Sequence, residues 1–135
     1  MLCYRPKTEA RLLLKMKKRI LLFEPDQVIR STLLQKITLK KNFEIVDTDN
    51  LENVKRQLEK SPFELLIMGT DQGFYSLTSL RQFIEGEKIT NLILFMVQAD
   101  FMDGSFPPDD LKKYYFIEKA LALINLDRFS LLFSL

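Results

Sequence analysis

The sequence contains no histidine, no tryptophan and a single cysteine, Cys3, among its 135 residues. Without histidine, Ser-His and Cys-His catalysis and imidazole metal sites are excluded. A lone cysteine cannot form an internal disulfide, so the cytoplasm is the expected compartment. The four glycines form neither a G-x-G-x-x-G nor a G-x-x-x-x-G-K pattern, which argues against dinucleotide and nucleoside triphosphate binding.

Long hydrophobic runs are also absent. The main apolar runs are four to six residues long and are Ile20–Phe23, Leu65–Met68 and Leu92–Val97. A helix that spans a bilayer needs roughly 18 or more apolar residues, so no transmembrane segment is predicted. The charged N-terminus lacks the apolar stretch of a secretory signal. The length and the 47% apolar content are those of one globular domain.

Charge is concentrated at the N-terminus. Residues 1–19 hold seven of the 20 Lys and Arg residues but one of the 18 acidic residues, so this stretch carries +6 and the remainder −4. We therefore predict a basic N-terminal extension, residues 1–16, before a domain of residues 17–135, and expect residues 1–15 to be disordered or variably packed. Association with nucleic acid or a membrane surface is an alternative function. Nucleic-acid binding is disfavoured because Tyr4 is the one aromatic residue of this stretch that could stack on a base.

Strand and helix signals alternate from residue 20 onward. Continuous apolar runs are typical of strands buried on both faces, and apolar residues repeated every three or four positions indicate helices. The predicted strands are Ile20–Phe23, Phe43–Val46, Glu64–Met68, Leu92–Val97 and Tyr115–Ile117. The predicted helices are Gln27–Leu39 capped by Asp26, one capped by Asn50 with Leu51, Val54 and Leu58 facing the core, one marked by Leu77, Leu80 and Ile84, a short one in Pro108–Lys113, and a last one in Leu121–Leu135 opened by Asn125.

This alternation predicts an α/β fold, a doubly wound five-stranded parallel sheet with helices on both faces. In such folds the functional site lies outside the carboxyl ends of the strands, where the strand order reverses. Four strand ends carry Glu24-Pro25, Gly69, Met96-Val97 and Glu118-Lys119. These residues include too few acids to hold a divalent cation or to accept a phosphoryl group.

Three segments, in this order, resemble the receiver domain of two-component response regulators. Residues 16–30 are similar to the first strand and helix of that family, Pro62–Met68 to its third strand, and Tyr115–Lys119 to its fifth strand and its lysine. The resemblance extends over residues 16–135 and implies a flavodoxin-like, receiver-type fold. It also implies a role in a two-component or phosphorelay pathway, with a kinase, an output domain or a second copy of the chain as the partner.

The sequence departs from the family at the residues that carry its chemistry. Glu24 and Pro25 stand where two acids hold Mg²⁺, and Gly69 stands where an aspartate accepts the phosphoryl group. Met96 stands in the place of the Ser or Thr of the fourth strand, whereas Lys119 is retained. We therefore predict a degenerate receiver, or pseudo-receiver, that has no catalytic residue, metal or cofactor and is not an enzyme. Its degenerate pocket is Glu24, Pro25, Gly69, Met96 and Lys119.

Several residues near this pocket carry further predictions. Glu24 and Lys119 are expected to form an ion pair if both project into one crevice. Asp71 is either a substitute phosphoryl acceptor or, as its place beside Gly73 favours, a turn residue. Met96 is expected to pack in the core.

Protein binding is the function that remains. Phe116 stands at the switch-aromatic position and is expected to keep a fixed rotamer. The resemblance implies an interaction face made of Tyr114, Tyr115, Phe129 and Phe133, and exposed aromatic residues are favoured at interfaces. A small-ligand binder at the strand-end crevice is a further alternative.

Overall fold

The computed structural model describes residues 18–39, 43–71, 75–97, 114–119 and 122. Three predictions lie outside these residues and stay predictions: the basic N-terminal extension, the short helix in Pro108–Lys113, and the last helix. Phe129 and Phe133 of the predicted interaction face belong to that last helix and are outside the described residues as well.

The described strands form one parallel sheet in the order β2-β1-β3-β4-β5. The strands are β1 (Lys18–Phe23), β2 (Phe43–Thr48), β3 (Leu65–Gly69), β4 (Leu92–Val97) and β5 (Tyr115–Glu118). Three helices connect successive strands: α1 (Gln27–Thr38), α2 (Leu51–Lys60) and α3 (Leu77–Gly86). The predicted five-stranded parallel sheet is confirmed.

Helices cover both faces of the sheet. Leu33 and Ile37 of α1 pack in one core cluster with alternate strand residues such as Ile20 and Leu22. Val54 of α2 and Leu80 of α3 belong to a second cluster, which contains the other strand face. Because both faces of β1 and β3 are covered, their sequences are continuous apolar runs rather than alternating ones. The doubly wound architecture is therefore also confirmed.

Side-chain caps fix the start of each described helix. The Asp26 carboxylate accepts hydrogen bonds from the backbone N–H groups of Val28 and Ile29, at 2.9 and 3.1 Å. The Asn50 side chain accepts one from Asn53 at 2.7 Å, so both predicted caps are confirmed. A third cap was not predicted: the Ser76 hydroxyl accepts a hydrogen bond from the Ser79 N–H at 3.1 Å.

Element boundaries differ from the predictions by one or two residues. β2 continues past Val46 to Thr48 because Phe23 of β1 pairs with Thr48. The third strand was predicted to end at Met68, but Gly69 is the last residue of β3, since it pairs with Met96. Both extensions follow from the hydrogen-bond register of the sheet, which hydrophobic periodicity does not report. Among the described residues, no helix is long and apolar enough to cross a bilayer.

Candidate functional site

The candidate site lies where the strand order reverses, between the carboxyl ends of β1 and β3. The chain leaves β1 for β2 on one side and returns to β3 on the other. Phe23 pairs with Met68 across these strands, so the next residues, Glu24 and Gly69, lie side by side. Ligand sites of doubly wound folds occur at this point. Two of the predicted pocket residues are thus neighbours.

Lys119 reaches the same point from the end of β5. Its Nζ lies 2.9 Å from Oε1 of Glu24 and donates a hydrogen bond of 3.3 Å to Oε2. Glu24 is fully buried and Lys119 is 9% exposed. The predicted ion pair is confirmed, and it is a buried pair rather than a solvated surface contact.

The turn after β1 holds the Glu24 carboxylate inward. The backbone N–H of Asp26 donates to Oε2 of Glu24 at 3.0 Å. Pro25 lies between them and fixes its own φ near −65°, which restricts this turn. The Arg30 guanidinium anchors the same turn, because its Nη1 donates to the Glu24 carbonyl at 2.8 Å and its Nε lies 3.3 Å from Asp47 Oδ2. Pro25 therefore supplies no metal ligand but shapes the pocket.

Burial raises the pKa of Glu24 above the 4.5 that is usual for glutamate. The Asp26 N–H and the Lys119 ammonium oppose this shift because they stabilise the ionised carboxylate, but desolvation is the larger effect. The carboxylate is consequently harder to ionise in the folded chain than in the unfolded chain.

Gly69 makes room for the Glu24 carboxylate. A Cβ placed on Gly69 would lie 2.2 Å from Oε1 and 2.8 Å from the carboxyl carbon of Glu24. Real Cβ atoms do not approach other atoms that closely, because the contact is far inside the van der Waals distance. A side chain at position 69 and the observed position of Glu24 are therefore mutually exclusive.

The other residues of β3 and β4 at this edge pack or hydrogen-bond locally. Met96 is fully buried in the core cluster that contains Ile20 and Leu22, which agrees with its predicted packing role. Thr70, which the sequence analysis missed, is also fully buried, and its backbone N–H and hydroxyl both donate to the Met96 carbonyl, at 3.0 and 3.3 Å. Its position directly after the third strand was the available signal.

The pocket residues do not fit a Mg²⁺ ion. Mg²⁺ requires near-octahedral oxygen coordination, usually with more than one carboxylate when no substrate phosphate is bound. Both Glu24 oxygens are directed at Lys119 and the Asp26 N–H, and Pro25 and Gly69 have no side-chain oxygen. In the part of the chain that the structure describes, no three His, Cys, Asp or Glu side chains converge in a way that could hold a metal.

Three further residues singled out from the sequence have defined surroundings. The backbone N–H of Asp71 donates to the Tyr75 carbonyl at 2.7 Å, which suits the predicted turn role. The Phe116 ring is stacked on Phe95, with centroids 5.6 Å apart. Tyr114 contacts the same Phe95 ring edge-on at 5.2 Å. Phe95 thus supports two aromatic residues from the start of β5.

Two surface cavities lie away from this site. Their volumes are about 230 and 310 Å³, and both are lined by the segment from Lys88 to Asn91. That segment precedes β4, so the cavities are at the amino edge of the sheet, opposite Glu24. The predicted crevice and these cavities are therefore separate features.

The raised pKa of Glu24 predicts the sign of a pH effect. Above pH 4.5 and up to the folded-state pKa, the folded chain holds more protons at Glu24 than the unfolded chain does. The stability contributed by this group is therefore present at low pH and is lost as the pH rises through the folded pKa. We expect the unfolding free energy of the wild type, minus that of Glu24→Gln, to fall as the pH is raised above 4.5 in denaturant titrations. An increase over this range would contradict the assignment.

The contact between Gly69 and Glu24 predicts a large effect of one methyl group. Gly69→Ala should reduce the unfolding free energy by about 2–3 kcal/mol, because it displaces a buried, paired carboxylate. Gly86→Ala is the matched control, since a Cβ there meets nothing within 4 Å. It should leave stability unchanged or raise it by up to about 1 kcal/mol. Equal effects of the two substitutions in urea unfolding would show that Glu24 does not fill the position-69 volume.

Several solved structures resemble the fold of this chain. Searches with the sequence find no matching family model and no significantly similar curated protein. The structure resembles the Francisella response regulator 1452 receiver domain, with a TM-score of 0.68, 12% identity, and coverage of 87% of this chain and 97% of that one. It resembles a CheY-like receiver domain from Methylobacillus flagellatus, with a TM-score of 0.63, 9% identity, and coverage of 82% and 93%.

A longer regulator matches as well. The RcsB response regulator of Salmonella typhimurium has a TM-score of 0.64 and 11% identity over 84% of this chain, which spans 57% of that regulator. Identities this low concern the fold alone. The fold predicted from the sequence is therefore confirmed by independent structures: this chain has the flavodoxin-like fold of response-regulator receiver domains.

Proposed function

We propose that this chain is a receiver-like signalling module that acts by binding another protein and is not itself phosphorylated. The observation that carries the proposal is the buried ion pair between Glu24 and Lys119, with Gly69 beneath it. In the resemblance described above, this is the place where an aspartate of the third strand accepts the phosphoryl group. In this chain the same place contains the carboxylate of Glu24, which comes from the end of β1 and is already paired with Lys119.

Three features of the pocket support the absence of phosphorylation. Gly69 has no carboxylate to act as the nucleophile. Glu24 is fully buried and bonded to Lys119 and the Asp26 N–H, so it is not presented to a phosphoryl donor. The donor set does not fit Mg²⁺, which phosphoryl transfer uses to neutralise developing charge. On these grounds the proposal is also that the chain is not an enzyme.

The start of β5 supports a role in protein binding. β5 lies at the edge of the sheet, and Tyr115 is 44% exposed there. The adjacent rings of Tyr114 and Phe116 pack on Phe95, whereas Tyr115, between them in the sequence, points to the opposite face of the sheet. Tyrosine supplies a large contact area at low conformational cost, and aromatic anchors of this kind dominate many interfaces. A kinase, an output domain or a second copy of the chain is the proposed partner.

The first test is phosphorylation. The purified chain is incubated with Mg²⁺ and acetyl phosphate beside a receiver domain that has aspartate at the end of its third strand. The control should gain the mass of a phosphoryl group, and this chain should keep its unmodified intact mass, because Gly69 supplies no carboxylate and Glu24 is buried and paired with Lys119. A hydroxylamine-labile adduct that peptide mapping places on Glu24 or Asp71 would refute this part of the proposal.

The second test concerns the exposed side chain of Tyr115. The tagged chain is used to capture partners from an extract of the cells that encode it, with Tyr115→Ala and Leu39→Ala as variants. Both remove an exposed apolar side chain, since Leu39 is 82% exposed at the end of α1. Tyr115→Ala should weaken capture at least about tenfold, as expected for an interface anchor, whereas Leu39→Ala should not. Loss with Leu39→Ala alone would place the interface elsewhere.

A further inference from the structure

The Glu24 carboxylate occupies a space that belongs to another position of the sheet. A side chain at position 69 would begin 2.2 Å from its Oε1. The carboxylate is therefore in the volume that an acidic side chain on β3 would enter, although it comes from the end of β1. Lys119 contacts it there from β5 at 2.9 Å.

The surroundings form a binding site for a carboxylate. A buried ammonium, a backbone N–H of the following turn and the bare backbone of Gly69 surround the two oxygens. The Lys119 ammonium and the Asp26 N–H can each donate a hydrogen bond to an anion, and Gly69 leaves room for that anion. Donors buried in this way are stronger than the same groups in water.

We propose that Glu24 is an internal ligand of an anion site formed by Gly69, Lys119 and the Asp26 N–H, and that it keeps this site occupied. Free phosphate and small carboxylates are excluded because the side chain already fills their place. The pocket therefore has one fixed state that does not depend on an external ligand. Only the consequence of this fixed state for signalling rests on the proposed function.

The main test empties the site and refills it. Glu24→Ala removes the carboxylate and leaves the Lys119 ammonium buried without its counter-ion. This should lower Tm by about 10 °C, because an unpaired buried charge is strongly destabilising in a domain of this size. Acetate should then raise Tm of this variant as it binds in the vacated volume, by about 4 °C at ten times its Kd. Sodium chloride at equal ionic strength controls for screening.

Two controls assign the acetate effect to the site. The wild type should not respond, because Glu24 occupies the position that acetate would take. The double variant Glu24→Ala/Lys119→Met should not respond either, because the ammonium is gone. If acetate stabilises all three proteins equally, or none of them, the proposal is wrong.

A second pair of variants supplies the carboxylate from position 69 of β3 instead of from Glu24. This test does not require the single variant Glu24→Ala to fold. Gly69→Asp should destabilise the chain when Glu24 is present, because two carboxylates compete for one volume and one lysine. In Glu24→Ala/Gly69→Asp the new side chain has the site to itself, so this double variant should have a higher Tm than Gly69→Asp. The proposal is overturned if the Glu24→Ala change lowers Tm in the Gly69→Asp background.

The internal ligand and the proposed function can fail separately. Rescue by acetate with no partner capture would leave the anion site established and remove the signalling role. Partner capture that depends on Tyr115, with no acetate response in Glu24→Ala, would leave the signalling role and remove the internal ligand.

Discussion

The ion pair between Glu24 and Lys119 is the interaction on which the rest of this edge of the sheet depends. It joins residues 95 positions apart and connects β1 to β5, which β3 and β4 separate in the sheet. The net free energy of such a pair is small, because desolvation of both charges offsets their attraction, as the raised pKa of Glu24 indicates. Removing one partner is nevertheless costly, since the other charge is then buried alone. The pair therefore specifies an arrangement more than it stabilises the fold.

The ion pair explains why glycine occupies position 69 and proline occupies position 25. Taken as departures from a family pattern, each is only the loss of an acid. In the structure, Gly69 leaves the volume that the Glu24 carboxylate fills, and Pro25 lies in the turn whose next N–H, that of Asp26, bonds the same carboxylate. Two departures that look independent along the chain, Pro25 and Gly69, thus belong to one local arrangement, in which a single carboxylate is held by one lysine and one turn.

The sequence predicted the architecture and part of the site. Buried strands such as Ile20–Phe23 can be predicted because a sheet covered on both faces needs continuous apolar runs. The helix caps Asp26 and Asn50 can be predicted because few side-chain types serve as N-caps. The ion pair was predicted because the fold places both residues at one edge. The contact between Gly69 and Glu24 was not, since it depends on side-chain direction and on distances below 3 Å. Thr70 was missed for the same reason: its buried hydrogen bonds follow from the register of β3 and β4.

Because β5 is only four residues long, the filled pocket at its end lies close to the exposed Tyr115 at its start. This strand ends one residue before Lys119 and begins at the exposed Tyr115, and Phe116 is stacked on Phe95 of the neighbouring strand. A displacement of the strand end toward or away from Glu24 would have to move these rings, because close-packed contacts leave little free volume to absorb it. If the carboxylate is a permanent ligand, the strand end has no second position to adopt. Under the proposed function, control of a partner would then come from the amount of this chain or from competition for its surface, rather than from chemistry in the pocket.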